Sequence, residues 1–188
     1  MTQAFHERLS ALDAIFLDLE NETASMHVGA VLLFDAKPLT LDNGGLDMER
    51  ITKYTLAALD TMPRYRQRLE WVPGFGHPVW IEDDRFNINF HLRHTRLPLP
   101  GDERMLKRLA GRLFSQRLDR SRPLWEFWIV EGIENDQFAL VGKAHHCMVD
   151  GVAGVGLIEA LLQMTPVVME KEPRPWTPRP APTRTQLL

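Results

Sequence analysis

A chain of 188 residues is long enough to bury one ordinary core and too short for two full-sized domains. A formal net charge of −3 gives no global reason to expect nucleic acid as a partner, and 44% apolar residues is the fraction of a globular protein. No run approaches the roughly 20 apolar residues that span a bilayer, and the stretch Met1-Thr2-Gln3-Ala4-Phe5-His6-Glu7-Arg8 lacks the basic start and apolar centre of a signal peptide. The expected setting is therefore intracellular, soluble or peripheral. The single cysteine, Cys147, excludes an internal disulfide and agrees with a reducing compartment.

In chain order, Leu9 to Leu19 places Ser10 three residues before Asp13, a capping-box arrangement, and then Ile15, Phe16 and Leu19 at helical spacing, which predicts a short helix. Met26 to Phe34 is rich in Val and Leu with few charges and reads as a buried strand that ends near Asp35 and Pro38. Asn43-Gly44-Gly45 is a turn. From Asp47 to Leu59 a helical period returns through Met48, Ile51, Leu56 and Leu59, until Pro63 stops it. Strand-like pieces follow at 68–72, 78–81 and 88–95, separated by Pro73-Gly74-Phe75-Gly76 and by Glu82-Asp83-Asp84.

Asp102 to Gln116 is the clearest amphipathic helix, with Met105, Leu106, Leu109 and Leu113 on one side and Arg104, Lys107, Arg108 and Arg112 on the other. Such a basic face is ordinarily solvated; the alternative is a docking surface for anionic lipid or for the phosphates of a nucleotide-like cofactor. Strands Leu124 to Glu131 and Gln137 to His145 are joined by Gly132-Ile133-Glu134-Asn135-Asp136 as a hairpin, and a second helix is expected at 152–163. Strands alternating with helices in this order suggest an α/β (α+β) fold, a mixed sheet with helices packed on it. Six of the thirteen prolines fall between Pro166 and Pro182, so residues 165–188 read as an extended linker behind a domain of residues 1–164, with a partner domain expected beyond it.

The most informative stretch is Lys143-Ala144-His145-His146-Cys147-Met148-Val149-Asp150-Gly151, the pattern HHxxxDG at a strand-to-helix junction. A histidine at the mouth of a buried strand is a ready general base near neutral pH. Alternation along 138–146 puts His146 on one face with Gly142 and Ala144 and His145 on the other. The two imidazoles then diverge, which argues against a metal held by both, and no third ligand stands at a familiar spacing. Gly142 and Ala144 are small enough to leave room beside His146 for a substrate channel, the bland alternative being close packing of a helix around a satisfied core histidine. Asp150 stands at the N-cap of the following helix and takes a structural role first, with an arginine not identifiable from sequence as a further partner; Gly151 allows a tight turn. Cys147 reads as a small buried hydrophobe rather than a nucleophile.

The HHxxxDG pattern resembles the superfamily of CoA-dependent acyltransferases that also holds chloramphenicol acetyltransferases, plant alcohol acyltransferases and the condensation domains of peptide synthetases. Leu9-Ser10-Ala11-Leu12-Asp13-Ala14-Ile15-Phe16-Leu17, Met26-His27-Val28-Gly29-Ala30 and Arg122-Pro123-Leu124-Trp125-Glu126 narrow the resemblance to the N-terminal half of the bacterial wax ester synthase/acyl-CoA:diacylglycerol acyltransferase family. The resemblance runs from about Leu9 to the linker. It implies a chloramphenicol acetyltransferase-like half of a two-domain enzyme that transfers a fatty acyl group from acyl-CoA, as substrate and with no permanent cofactor, to diacylglycerol or a long-chain alcohol.

It further implies that His146 is the general base, that His145 supports the motif, and that Pro123, Leu124 and Trp125 shape the neighbouring strand or acyl channel. The implied partner is a C-terminal half with the rest of the site. The implied location is the cytoplasm, or the periphery of the cell membrane's inner face or of a lipid droplet. The rivals are a condensation-type or polyketide-associated acyltransferase fed by a carrier protein, and a non-catalytic lipid-binding half-module.

Overall fold

The computed structural model describes residues 6–74, 76–149, 162 and 172–187. The expected helix at 152–163 falls, but for residue 162, outside them. Two sheets organise the described residues. The larger is mixed and four-stranded, in the order β2 (His27–Asp35), β7 (Gln137–His145), β6 (Trp125–Ile133), β5 (Leu92–Arg96). The β2–β7 and β7–β6 pairs are antiparallel and β6–β5 is parallel. A smaller antiparallel sheet carries β1 (Glu7–Arg8), β4 (Pro78–Glu82) and β3 (Gln67–Trp71) in that order.

Local chemistry starts the helices. In α1 (Ala11–Leu19) the Ser10 hydroxyl accepts from the Asp13 N–H at 3.0 Å and donates to the Asp13 carboxylate at 2.6 Å, so the anticipated cap is present. Asp47 caps α2 (Met48–Leu59) through the Arg50 N–H at 2.9 Å, and Asp102 caps α4 (Glu103–Ser115) through the Met105 N–H at 2.8 Å. Helix α4 connects the parallel pair β5 and β6, and its Leu106, Ala110 and Leu113 pack on Val130, Ala139 and Val141 of the large sheet. The opposite face, with Phe34, Phe127, Phe138, Leu140 and Ala144, joins the main core around Trp80, Leu124 and Trp125.

Three expectations need correction. The apolar run from Met26 to Phe34 does form a strand, but it is an edge strand, with Val28 and Val31 each 39% exposed and Leu33 51%. A continuous apolar run marks a strand covered on both sides, whereas β2 has β7 as its one neighbour among the described residues, and Phe114 of α4 reaches it at Gly29, where a Cβ would lie 2.5 Å from the ring. The expected strand at 88–95 is split: the Asn87 side chain accepts from the Asn89 N–H at 3.0 Å and caps the single turn α3 (Ile88–His91), and extended backbone begins only at Leu92. Smaller strands at 67–71 and 78–82 form their own sheet instead of extending the large one.

The proline-rich end lies along the body. Arg174 N–H donates to Asp60 at 2.8 Å, Arg179 meets Glu82 through its backbone N–H at 2.6 Å and its Nε at 2.9 Å, and Trp176 meets Phe86 edge-on at 5.8 Å. The final turn, α5 (Arg184–Leu187), tucks Leu187 against Val79 and Ile81.

Trp125 ties the layers together. Its Nε1 donates to the Tyr65 carbonyl at 2.8 Å, its own carbonyl lies 2.9 Å from His91 Nδ1, and its ring stacks on His91 at 4.7 Å. Trp125→Ala is expected to cost about 3–5 kcal/mol through cavity and lost contacts. Urea denaturation checks this, with Trp125→Phe expected to cost less.

Candidate active site

Strand β7 ends at His145, and the chain enters a single 3-10 turn over His146–Met148. His146 is thus the first residue of a turn, not the last of the strand, and it does not continue the alternation that would align it with Gly142 and Ala144. Its N–H donates to the Met26 carbonyl at 2.8 Å, its carbonyl accepts from the Val149 N–H at 3.1 Å, and its ring stacks on Phe16 at 3.7 Å. His146 is half-buried, and its Nδ1 is buried with no hydrogen-bond partner among the described residues.

The room expected beside Gly142 is taken by Phe127, whose ring carbons would lie 3.0 Å from a Cβ at that position, and Ala144 is packed into the main core. Leu124 and Trp125 expose nothing, so they are anchors of β6 and not channel walls in the described structure. Leu124 contributes through its backbone, since its carbonyl accepts the His145 N–H at 2.9 Å. Pro123 borders a small cleft, about 70 Å³, with Phe90, Arg93, Arg122 and Glu126. Asp150 and Gly151 lie outside the described residues.

His145 belongs to a buried polar cluster that the motif does not announce. At the end of α1, the Glu20 side chain is 1% exposed. Its Oε2 accepts from Arg120 Nε at 3.1 Å and Nη2 at 2.8 Å and from Arg117 at 3.4 Å. The Oε1 atom accepts from the Met26 N–H at 3.4 Å, and lies 3.2 Å from His27 Nε2 and 3.7 Å from His145 Nε2. Arg120 also donates to the Leu17 carbonyl at 2.8 Å, fixing its guanidinium to α1. His27 faces His145 across the β2–β7 pair, with ring centroids 5.9 Å apart.

Burial pushes the Glu20 carboxyl up, but the Arg120 hydrogen bond and charge and the Met26 N–H outweigh it and hold the group below its ordinary value. Burial lowers both His27 and His145, and carries His145 down to about 4 against the pull of Glu20. His145 is therefore neutral near pH 7. Its Nδ1 accepts from the Cys147 N–H at 3.2 Å, so the side chain caps the turn that His146 begins. Cys147 is buried and its thiol is pushed up to about 12 by that burial, so it stays a thiol and not a nucleophile.

Glu20 and Arg120 went unnoticed in the sequence, and Phe16 and His27 were read only as parts of a helix and of a family-like stretch, because the four lie between 25 and 130 residues from the histidines they serve, with no spacing to connect them. The nearest signal is the tight run from Glu20 to His27 between a helix and a strand.

Over residues 9–188 the chain matches the family described as wax ester synthase/diacylglycerol acyltransferase catalytic domain. The chain belongs to that family. It is 37% identical over 182 residues to a probable diacylglycerol O-acyltransferase of Mycobacterium tuberculosis, covering 96% of this chain and 65% of the relative. A putative diacylglycerol O-acyltransferase of the same organism is 39% identical, with 89% of this chain and 33% of the relative covered. Among solved structures, the wax ester synthase/diacylglycerol acyltransferase of Marinobacter aquaeolei VT8 is similar with a TM-score of 0.72 at 33% identity, over 89% of this chain and 39% of that one. The starter condensation domain of rhizomide synthetase, in complex with C8-CoA, shares the fold at a TM-score of 0.66 and 12% identity, over 83% of this chain and 34% of that one.

The chain thus spans about one to two thirds of the length of the relatives it matches. The mixed fold with helices on the sheet is the fold of the family. No helix among the described residues is long and apolar enough to cross a membrane.

Two outcomes follow from the buried groups. His27, His91 and His145 all have lowered pKa values in the fold, His145 from 6.5 to about 4, so the unfolded chain binds more protons as the pH falls through 6.5. Their contribution to stability is whole above about pH 6.5 and is lost as the pH falls toward 4. Urea midpoints measured from pH 7.5 to 4 should fall on acidification, with a shallower slope in His145→Asn. Cys147 should resist a thiol reagent at pH 8 in the folded protein and react fully once the chain is unfolded in urea.

Proposed function

We propose that this chain supplies the histidine-bearing wall of an acyltransferase that moves a fatty acyl group from acyl-CoA to the hydroxyl of diacylglycerol or a long-chain alcohol, yielding triacylglycerol or wax ester and free CoA. One observation carries the assignment of the base. Of the adjacent histidines, His145 is wholly buried, neutral and committed to a backbone N–H, whereas His146 is half-buried at the end of the strand on a hydrogen-bonded turn.

In this reading His146 takes the proton from the acceptor hydroxyl as that oxygen attacks the thioester carbonyl. The carbon–sulfur bond then breaks, and the proton passes from His146 to the departing sulfur, so that ester and CoA thiol form with no covalent acyl-enzyme. Phe16 closes one face of the imidazole and restricts its rotation. Pro123, Leu124 and Trp125 act by fixing β6 beside β7. Stabilisation of the tetrahedral oxyanion and most contacts to CoA fall to a C-terminal half reached through residues 165–188, and the reaction takes place in the cytoplasm or at the periphery of a lipid surface.

The test combines the chain and its C-terminal half with acyl-CoA and either diacylglycerol or hexadecanol. His146→Ala should lower ester formation by roughly 10²–10⁴-fold, and equal turnover in the variant would remove His146 as the base. Turnover with carrier-protein-bound acyl groups and none with free acyl-CoA would favour a condensation-type enzyme instead. Binding to liposomes with no turnover of either donor would favour a non-catalytic lipid-surface module.

A further inference from the structure

Two constraints act on the His145 ring from opposite ends. At Nδ1 stands the Cys147 N–H, 3.2 Å away, a group that can only donate. At Nε2 stands the Glu20 carboxylate, 3.7 Å away, a group that when ionised can only accept. A neutral imidazole carries one proton, and one arrangement alone suits both ends: a lone pair at Nδ1 and the proton on Nε2. The opposite tautomer would set a lone pair against the carboxylate and an N–H against the Cys147 N–H. Glu20 and His145 each expose 1% of their side chains, so water does not offset a mismatch.

The carboxylate is itself held. Arg120 grips Oε2 through two nitrogens at 2.8 and 3.1 Å and is anchored by the Leu17 carbonyl, while Arg117 adds a contact at 3.4 Å. The Met26 N–H donates to Oε1, and the carbonyl of the same Met26 accepts the His146 N–H. His145 in turn is the side-chain cap of the 3-10 turn whose first residue is His146.

Resting on the reading of His146 as the base, we infer that Glu20 is a positioning residue for the reaction: its buried carboxylate fixes the Nε2–H tautomer of His145, which keeps the Nδ1 cap on Cys147 and so sets the turn that presents His146. The first histidine of the pair then works through a ring nitrogen that never meets substrate, and the carboxylate that directs it comes from a helix 125 positions earlier in the chain.

Nitrogen NMR of histidine-labelled protein reads the tautomer directly and needs no activity. In the unsubstituted chain near pH 7, His145 should show an unprotonated Nδ1 and a protonated Nε2; the reverse tautomer or an imidazolium would overturn the inference even if no variant folds. In Glu20→Gln that preference should weaken, and with the C-terminal half supplied kcat should fall by on the order of 10²-fold, the scale for a displaced catalytic group, with little change in KM for acyl-CoA. In His145→Asn the side-chain oxygen still accepts from Cys147 without a tautomer to choose, so adding Glu20→Gln to that variant should cost less in kcat than adding it to the wild type. An equal cost on both backgrounds, or an unchanged tautomer in Glu20→Gln, would overturn the role given to Glu20. If His146→Ala retained activity while the tautomer result held, the choice of base would fail and the positioning of His145 would stand.

Discussion

A carboxylate with 1% of its side chain exposed is the constraint around which this part of the fold is arranged. Removing such an ion from water costs on the order of several kcal/mol, and a partial match does not offset it. Glu20 meets that cost with a two-point Arg120 contact, a second guanidinium from Arg117 and the Met26 N–H, with His27 and His145 filling the remaining side. Glu20 stands at the end of α1, and its partners come from the start of β2, the segment after α4 and the end of β7. Satisfying one charge therefore fixes four separate stretches of chain together, at the place where the strand passes into the histidine turn.

The same strand is fixed farther along the same face by a second buried charge. Lys143, two residues before His145, sends its ammonium to the Leu113 carbonyl at 2.8 Å and the Gln116 carbonyl at 2.6 Å, with Glu126 at 3.5 Å. These carbonyls belong to the end of α4, where a helix leaves acceptors unmatched and carries negative partial charge. Burial lowers the Lys143 pKa and Glu126 opposes the shift, so the cation has partners on both the helix and the neighbouring strand. Through Lys143 and His145, alternate residues on one face of β7, helix α4 and helix α1 are both referred to the strand that ends at His146.

Local features of the fold were legible because their causes are local. Ser10 with Asp13, Asp47 and Asp102 announce helices through bonds to N–H groups three residues on, and the 137–145 strand stands out between a turn and a motif. The exposure of β2 was not legible, since an apolar run carries no mark of how many neighbours will cover it; nor was the one-turn α3, which depends on the Asn87 side chain taking the Asn89 N–H. At the site, HHxxxDG and its companion stretches pointed to the family that the chain matches. Alternation misled at its last step because the strand stops at His145, and Gly142 proved to be a seat for Phe127 and not a vacancy. Glu20 and Arg120 stayed hidden for a simpler reason: pairing between distant segments is fixed only by the fold.

His145 and His146 are adjacent and alike in chemistry, and the fold gives them different environments. At His145 the low-dielectric surroundings disfavour the cation and one nitrogen is occupied by a backbone donor, which leaves a rigid neutral cap unable to exchange protons near neutrality. One residue on, the backbone leaves the sheet, and the next imidazole has its N–H and carbonyl tied to Met26 and Val149 while its ring lies on Phe16. A base must be able to gain and lose a proton, and a cap must not. The change from strand to 3-10 turn between residues 145 and 146 is what lets a repeated side chain be a fixed cap at one position and, in the proposed function, a base at the next.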